Sequence, residues 1–285
     1  MSDFVQQQNS ICDFSTSDSW VILSPIEQSI KKKIESVGIP LKDWDINIYR
    51  GVLTGCNEAF IIDTPKRDEI LNNCQTEDER QRTAELIRPI LRGRDIKRYG
   101  YVDNGLYLIN THNGVRGHIP RIKIEDYPAV KAHLDQFWDR IATRADKGDT
   151  PYNLRNCAYL EDFFKPKITW GNLNLNGTYS YAPEGMFINA PSPFIATTNI
   201  ALLHILNSKI ADYYIRSLGV TRNGGYFEYK PMFVEKLPVP LDGLSRLNDF
   251  PIHPTKAQES EIESIVYHLY GLSSEESNFI ENREI

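Results

Sequence analysis

The sequence predicts an α+β fold of mixed small sheets with packed helices, ending in a helical C-terminal tail. Two observations predict it. Short strand-like stretches bounded by Gly, Asn and Pro alternate irregularly with stretches of helical period, not as a regular βαβ array. The last 30 or so residues carry two capping signals, each ahead of an apolar stripe.

In chain order, residues 1–19 are polar and Ser/Gln-rich and read as a frayed lead. "SPIEQSIKKKIESVG" (24–38) predicts a helix. Ser24 is the N-cap, Pro25 the first helical residue and Glu27 the capping-box partner. Ile26, Ile30, Ile34 and Val37 make its apolar face, and Gly38 stops it. "INIYRGVLTGCNEAFIID" (46–63) alternates, breaks at Thr54–Glu58, and resumes with Ala59–Ile62. It predicts two short strands joined by a glycine-containing loop, a hairpin whose loop could cradle a phosphate, hold a catalytic group or only turn the chain.

Thr76–Leu91 reads as a charged helix, 105–110 as a strand, and Pro128 as the start of a helix with Val130, Leu134, Phe137 or Trp138, and Ile141 on one face. Residues 165–187 read as short strands and turns, 199–219 as one helix with Leu203, Leu206, Ile210 and Tyr214 inward, and 224–230 as a strand. "KLPVPL" (236–241) predicts a rigid extended exit. In the tail, Thr255 with Gln258 and Ser273 with Glu276 repeat the capping device. These divisions predict an N-terminal segment and helix (1–44), a main body (45–240) and the tail (241–285).

The chain has 285 residues, of which 25% are charged and 41% hydrophobic, as in a soluble globular protein. No apolar run approaches a membrane span and no signal peptide is visible. Cys12, Cys56, Cys74 and Cys157 form no CxxC pair, so a zinc site or disulfide framework is not expected and a reducing cytoplasm is. The tail holds nine acids and three bases, which is the whole net charge of −6, so residues 1–240 are balanced. That argues against strong polyanion binding, although Arg80, Arg82, Arg88, Arg92, Arg94, Lys97 and Arg98 crowd into one segment.

No P-loop, G-x-G-x-x-G, G-x-S-x-G or H-E-x-x-H motif is present, and the six histidines lack metal spacing. "DTPY" (149–152) misses the second proline of an amino-methyltransferase tetrad and reads as a loop. Glu228-Tyr229-Lys230 with Asp212 resembles half of a nuclease metal site, without the Pro-Asp pair.

Four polar loops stand out. They carry Arg50, Thr54, Gly55 and Asn57; Arg92, Arg94, Lys97 and Arg98; Trp170, Asn172 and Asn174; and Arg222, Asn223 and Tyr226. Arginine forks onto guanine, asparagine onto adenine, and hydroxyls or backbone amides onto phosphate. The same residues also suit purely structural work: Gly55 and Asn57 in a turn, Asp95 locking Arg92 or Arg98.

Several stretches together resemble the TaqI-like C-terminal specificity domains: "INIYRGVLTGCNEAFIID", "IRPILRGRDIKRYG", "YPAVKAHLDQF", "FFKPKITWGNL", "LLHILNSKIADYYI" and "GGYFEYKPMFVEKLPVP", in that order, with "LYGLSSEESNFIE" as the ending. The resemblance implies a sequence-specific double-stranded DNA recognition domain of a type IIG restriction-modification enzyme or adenine-specific methyltransferase. It implies a non-catalytic chain with no cofactor of its own. S-adenosylmethionine, and magnesium where a nuclease exists, would belong to an N-terminal methyltransferase or nuclease domain acting in cis or in trans. It also implies that "RGVLTGCNEAF" faces DNA. Two rivals stand beside it: an assembly module working through the tail helices, and a cryptic metal-dependent nuclease built on Asp212, Glu228 and Lys230.

Overall fold

A computed structural model describes residues 23–219 and 221–283, so the polar lead at 1–19 and Cys12 lie outside the described residues. Helix α1 (Pro25–Val37) forms as its signals require. The Ser24 hydroxyl accepts from the Glu27 N–H, and the Glu27 carboxylate accepts from the Ser24 N–H. Ile30 and Ile34 are buried, whereas Val37 is exposed.

After β1 (Ile39–Pro40) and β2 (Ile48–Arg50), the expected hairpin does not form. A helical turn, α2 (Asn57–Phe60), precedes β3 (Ile61–Asp63), and β2 and β3 join different sheets. The segment after β2 is bound elsewhere. The Gly51 N–H donates to the Ser192 carbonyl at 2.9 Å and the Val52 N–H to that of Ile188 at 2.7 Å. A Cβ on Gly51 would lie 2.5 Å from the Ile188 oxygen, so the close approach requires glycine.

Asp63 then caps α3 (Thr64–Asn72), a helix absent from the sequence reading because only Ile70 and Leu71 of it are buried and no apolar stripe announces it. Helix α4 (Glu77–Leu86) ends five residues earlier than expected and gives way to β4 (Ile87–Leu91). Pro89 holds Arg88 to extended backbone, and Ile87 pairs with Ile109. Strands β5 (Ile96–Lys97), β6 (Gly100–Tyr101) and β7 (Leu106–Ile109) follow.

The helix begun by Pro128 divides into α5 (Pro128–Asp135) and α6 (Trp138–Thr143). Next come β8 (Lys167–Trp170), β9 (Leu173–Asn174), β10 (Tyr179–Ala182) and β11 (Phe187–Ile188), as the short-strand reading of 165–187 predicts, and then β12 (Pro193–Ala196), which lies beyond that stretch. The helix expected over 199–219 is two, α7 (Ile200–Leu206) and α8 (Lys209–Leu218). Asn207 interrupts it: its amide donates to the Tyr179 and Leu203 carbonyls and accepts from the Tyr179 N–H. Ser208 then caps α8.

Of 224–230, only Phe227–Glu228 form a strand, β13, which is followed by α9 (Pro231–Val234). The 236–241 stretch is extended, yet it is no exit: β14 (Pro238–Val239) pairs with β1. Both tail capping boxes form, on α10 (Lys256–Leu269) and α11 (Ser274–Glu281).

The central sheet has strand order β10-β8-β12-β2, all antiparallel, and a second sheet has order β11-β4-β7-β3. Period-2 alternation sends each face of the central sheet to a different core. Ile168, Trp170, Tyr179 and Ile195 face a core shared with α1, α7, α8 and the tail. Ala182 and Phe194 face the core of the second sheet and α2 to α6. Ile262, Val266 and Ile280 bind the tail to the first core, at roughly 1.5–3 kcal/mol for each side chain fully buried.

Candidate nucleic-acid interface

The four polar loops are neighbours in a row. The 50–57 segment is bonded to the 188–192 turn. A Cβ on Gly93 would lie 2.7 Å from Ser192 Oγ and 3.6 Å from Gly171, so the loop after β4 sits between that turn and the 171–174 turn. The 171–174 turn pairs through β9 with β13, where Phe227 lies opposite Asn174, next to the 222–226 loop.

Within the row, side chains divide sharply. Trp170 is fully buried and its indole N–H donates to the Tyr229 carbonyl at 2.7 Å. Thr54 is buried, and its hydroxyl bonds Asn57 Oδ1 at 2.5 Å. Arg92 grips the buried Asp95 with Nε at 2.8 Å and Nη2 at 3.0 Å. Burial alone would raise the Asp95 carboxyl, but that fork and the Arg92 N–H hold it below its ordinary pKa.

Arg98 reaches the tail, at 2.7 Å from Glu259, and also donates to the Asn207 carbonyl. Asn174 bonds Gly171 and Thr178, and the Asn172 carbonyl accepts from the Tyr229 N–H. Arg222 pairs with Glu228. Arg50, Gly55, Asn57, Arg94, Lys97, Asn223 and Tyr226 are exposed.

A buried cation fixes one wall of this row. Arg144 donates to the carbonyls of Thr54, Pro151 (3.0 Å) and Asn153 (2.6 Å) and lies 4.2 Å over the Phe60 ring. No carboxylate among the described residues bonds it, and burial pulls its pKa down to about 10. It joins the 54–57 turn to the 147–154 loop. Gly55, at φ +65°, packs on Arg144 and Asp146.

The sequence reading missed what lies beyond that wall. The Asn153 amide donates to the Ile122 carbonyl at 2.9 Å, and the Leu154 N–H to that of Thr111 at 2.8 Å, lacing the 111–122 and 147–158 loops together. Two adjoining clefts result, of about 290 Å³ and 660 Å³, with Asn156, Cys157 and Ala158 between them. Arg50 and Arg155 flank the first cleft; Arg116 and Arg121 flank the second. Arg121 and Arg155 have acidic partners in Asp149 and Asp146, whereas Arg50, Arg94 and Arg116 form no ion pair among the described residues. Arg116, Arg121 and Arg155 are scattered in sequence, and no motif marks them.

The nuclease rival gains nothing from the geometry. Asp212 faces the Gly177 N–H, the Tyr229 hydroxyl and Arg216, while Glu228 is held between Arg222 and Lys230. Among the described residues no three His, Cys, Asp or Glu are grouped to hold a metal ion. None of the described helices is long and apolar enough to cross a membrane.

The model of the TaqI-like C-terminal specificity domain matches residues 88–239. The chain belongs to that family. The TaqI-like match covers β4 to β14 and so takes in three of the four loops. Among solved structures, the specificity domain is similar in fold to part of the type IIL restriction-modification enzyme MmeI in complex with DNA, with a TM-score of 0.58 at 10% identity over 85% of this chain and 36% of that one. The type IIG restriction endonuclease BpuSI aligns at a TM-score of 0.49 and 13% identity, over 86% of this chain and 33% of that one. The chain therefore spans about a third of the length of either structure. No curated protein matches it.

Proposed function

We propose that this specificity domain reads double-stranded DNA by sequence and orients a methyltransferase domain, attached or separate, for flipping of a target adenine, while contributing no catalytic group itself. S-adenosylmethionine would sit in that other domain, and magnesium in a nuclease domain where one accompanies it. The observation that carries the reading is the row of loops. It sets the exposed cations Arg50, Arg94, Lys97 and Arg116, unpaired among the described residues, along one run of turns. Asn57, Asn223 and Tyr226 supply side chains that suit base edges. Inward members of the row, the buried Thr54 and Trp170 and the half-buried Arg98, hold the loops in place.

Residues 45–240 carry the DNA face in this reading, and the tail braces it through Arg98 and Glu259. Few phosphates are neutralised, so isolated affinity is weak, with a shallow salt dependence set by the few phosphates contacted. The assembly rival relies on tail helices whose apolar faces are covered within the chain by the first core.

Selection from a randomised duplex library at low salt, with the chain mixed with or fused to its methyltransferase domain, tests the reading. An enriched motif containing adenine is expected. Retention without enrichment would remove base reading and move the assembly role ahead.

A further inference from the structure

The 290 Å³ cleft beside β2 has a built interior. Asn110, just after β7, is 4% exposed. Its backbone is engaged, the N–H with the Leu86 carbonyl and the carbonyl with the His112 N–H. Its side-chain amide has no hydrogen-bond partner among the described residues, and it lines the cleft. The amide is not sealed in the core but opens onto the cleft, so its donor and acceptor are free to meet a bound group.

His112 lies beside it. His112 Nδ1 accepts from the Gly114 N–H at 3.1 Å, which places the proton of the neutral ring on Nε2 as a donor. Burial lowers the His112 pKa and keeps the ring neutral. Leu154 and Phe163 give the cleft apolar walls, and Arg50 and Arg155 stand at its mouth. The volume lies at the small end of ligand sites, roughly 300–1,000 Å³, which suits one ring system.

We propose that this cleft receives a single unstacked nucleobase, with the Asn110 amide on its edge, His112 Nε2–H as a second donor and the attached phosphate at Arg50, which is unpaired among the described residues. An amide pairs with the adjacent donor and acceptor of adenine, so adenine is the preferred base. The base has two sources, a nucleotide swung out of bound DNA or a free nucleotide. The first rests on the DNA-recognition reading; the second does not.

The test titrates the full chain with adenosine, guanosine, cytidine and thymidine monophosphates by calorimetry. It then binds duplexes of the selected sequence carrying 2-aminopurine at each position in turn. Wild type is compared with Asn110→Leu and with Ala158→Trp, an exposed substitution that blocks the cleft without touching the core.

Saturable adenosine monophosphate binding, weakened at least tenfold by either variant, supports the cleft with a free nucleotide. A fluorescence rise at one duplex position, lost in Ala158→Trp, supports it with an extruded base. Neither signal, or signals that both variants leave unchanged, overturns the proposal. Nucleotide binding without any enriched duplex would sink the DNA reading and leave the cleft standing. Enrichment with neither signal would do the reverse.

Discussion

The loop at 92–98 and the rim around the two clefts are both rich in arginine, and Arg92 and Arg98 in the loop are used oppositely to Arg50 and Arg116 on the rim. In the loop, Arg92 is forked onto the buried Asp95, and Arg98 is tied to Glu259 and to the Asn207 carbonyl. On the rim, Arg50 and Arg116 are exposed and form no ion pair among the described residues. A guanidinium already bonded to a carboxylate has little left for a phosphate. The density of arginine in a segment therefore says little about which arginines meet a ligand. The loop's cations build the platform, and only Arg94 and Lys97 of that segment stay outward.

The comparison breaks first at Arg144, the cation that serves structure most completely. Arg144→Met removes the guanidinium donors from the Thr54, Pro151 and Asn153 carbonyls, of which Asn153 keeps the Gly148 N–H, and takes the cation off the Phe60 ring; it is expected to cost about 3 to 4 kcal/mol in denaturant unfolding. A loss under about 1 kcal/mol would mean that the 54–57 turn and the 147–154 loop hold without it.

A pH series sharpens the tail side. Glu263 accepts from the Lys209 N–H near Arg98, yet burial raises its pKa from 4.5 to about 7. Its folded pKa lies above the unfolded one, so ionisation opposes folding. Wild-type stability should fall as pH rises from about 4.5 to about 7, by up to roughly 3 kcal/mol, and Glu263→Gln should flatten that slope. Equal slopes in the two proteins would contradict the assignment.

Asp95→Ala comes next. It removes the acceptor for Arg92 and for the Asn104 amide, and should cost about 2 kcal/mol while also loosening the outward Arg94 and Lys97. Thermal melts and DNA retention should fall together.

The smallest stability effects belong to the rim. Arg50→Ala and Arg116→Ala should each shift stability by less than about 0.5 kcal/mol, and each should lower the slope of log affinity against log salt by about 1. Unchanged slopes in both would place the phosphates on another face.

Local signals were read correctly where local physics decides. All three capping boxes the sequence announces, at Ser24, Thr255 and Ser273, form as read, because a hydroxyl and a carboxylate or amide three residues on need no distant partner. The resemblance was legible for a related reason: ordered blocks from 88 to 239 hold the loops that the family match covers. Errors arose where a distant segment intervenes. Asn207 splits a continuous helical pattern because its amide reaches Tyr179. The 46–63 stretch has a hairpin pattern, but the 188–192 turn takes the backbone of Gly51 and Val52.

The candidate residues divide in the same way. Trp170 and Arg98 belong to residue types that suit DNA, and both are turned inward. Asn110 and Arg116 carry no local signal, and His112 counts only as one of six histidines without metal spacing, because nothing in their own neighbourhood sets them apart. By itself the sequence determined the α+β class, most helix starts and the family, all carried by spacings of a few residues. The tertiary structure decided which loops adjoin, where a buried amide is left facing a cleft and, beyond the local Arg92–Asp95 fork, which arginines are spent, since these depend on distant partners, as Arg98 does on Glu259 161 residues away.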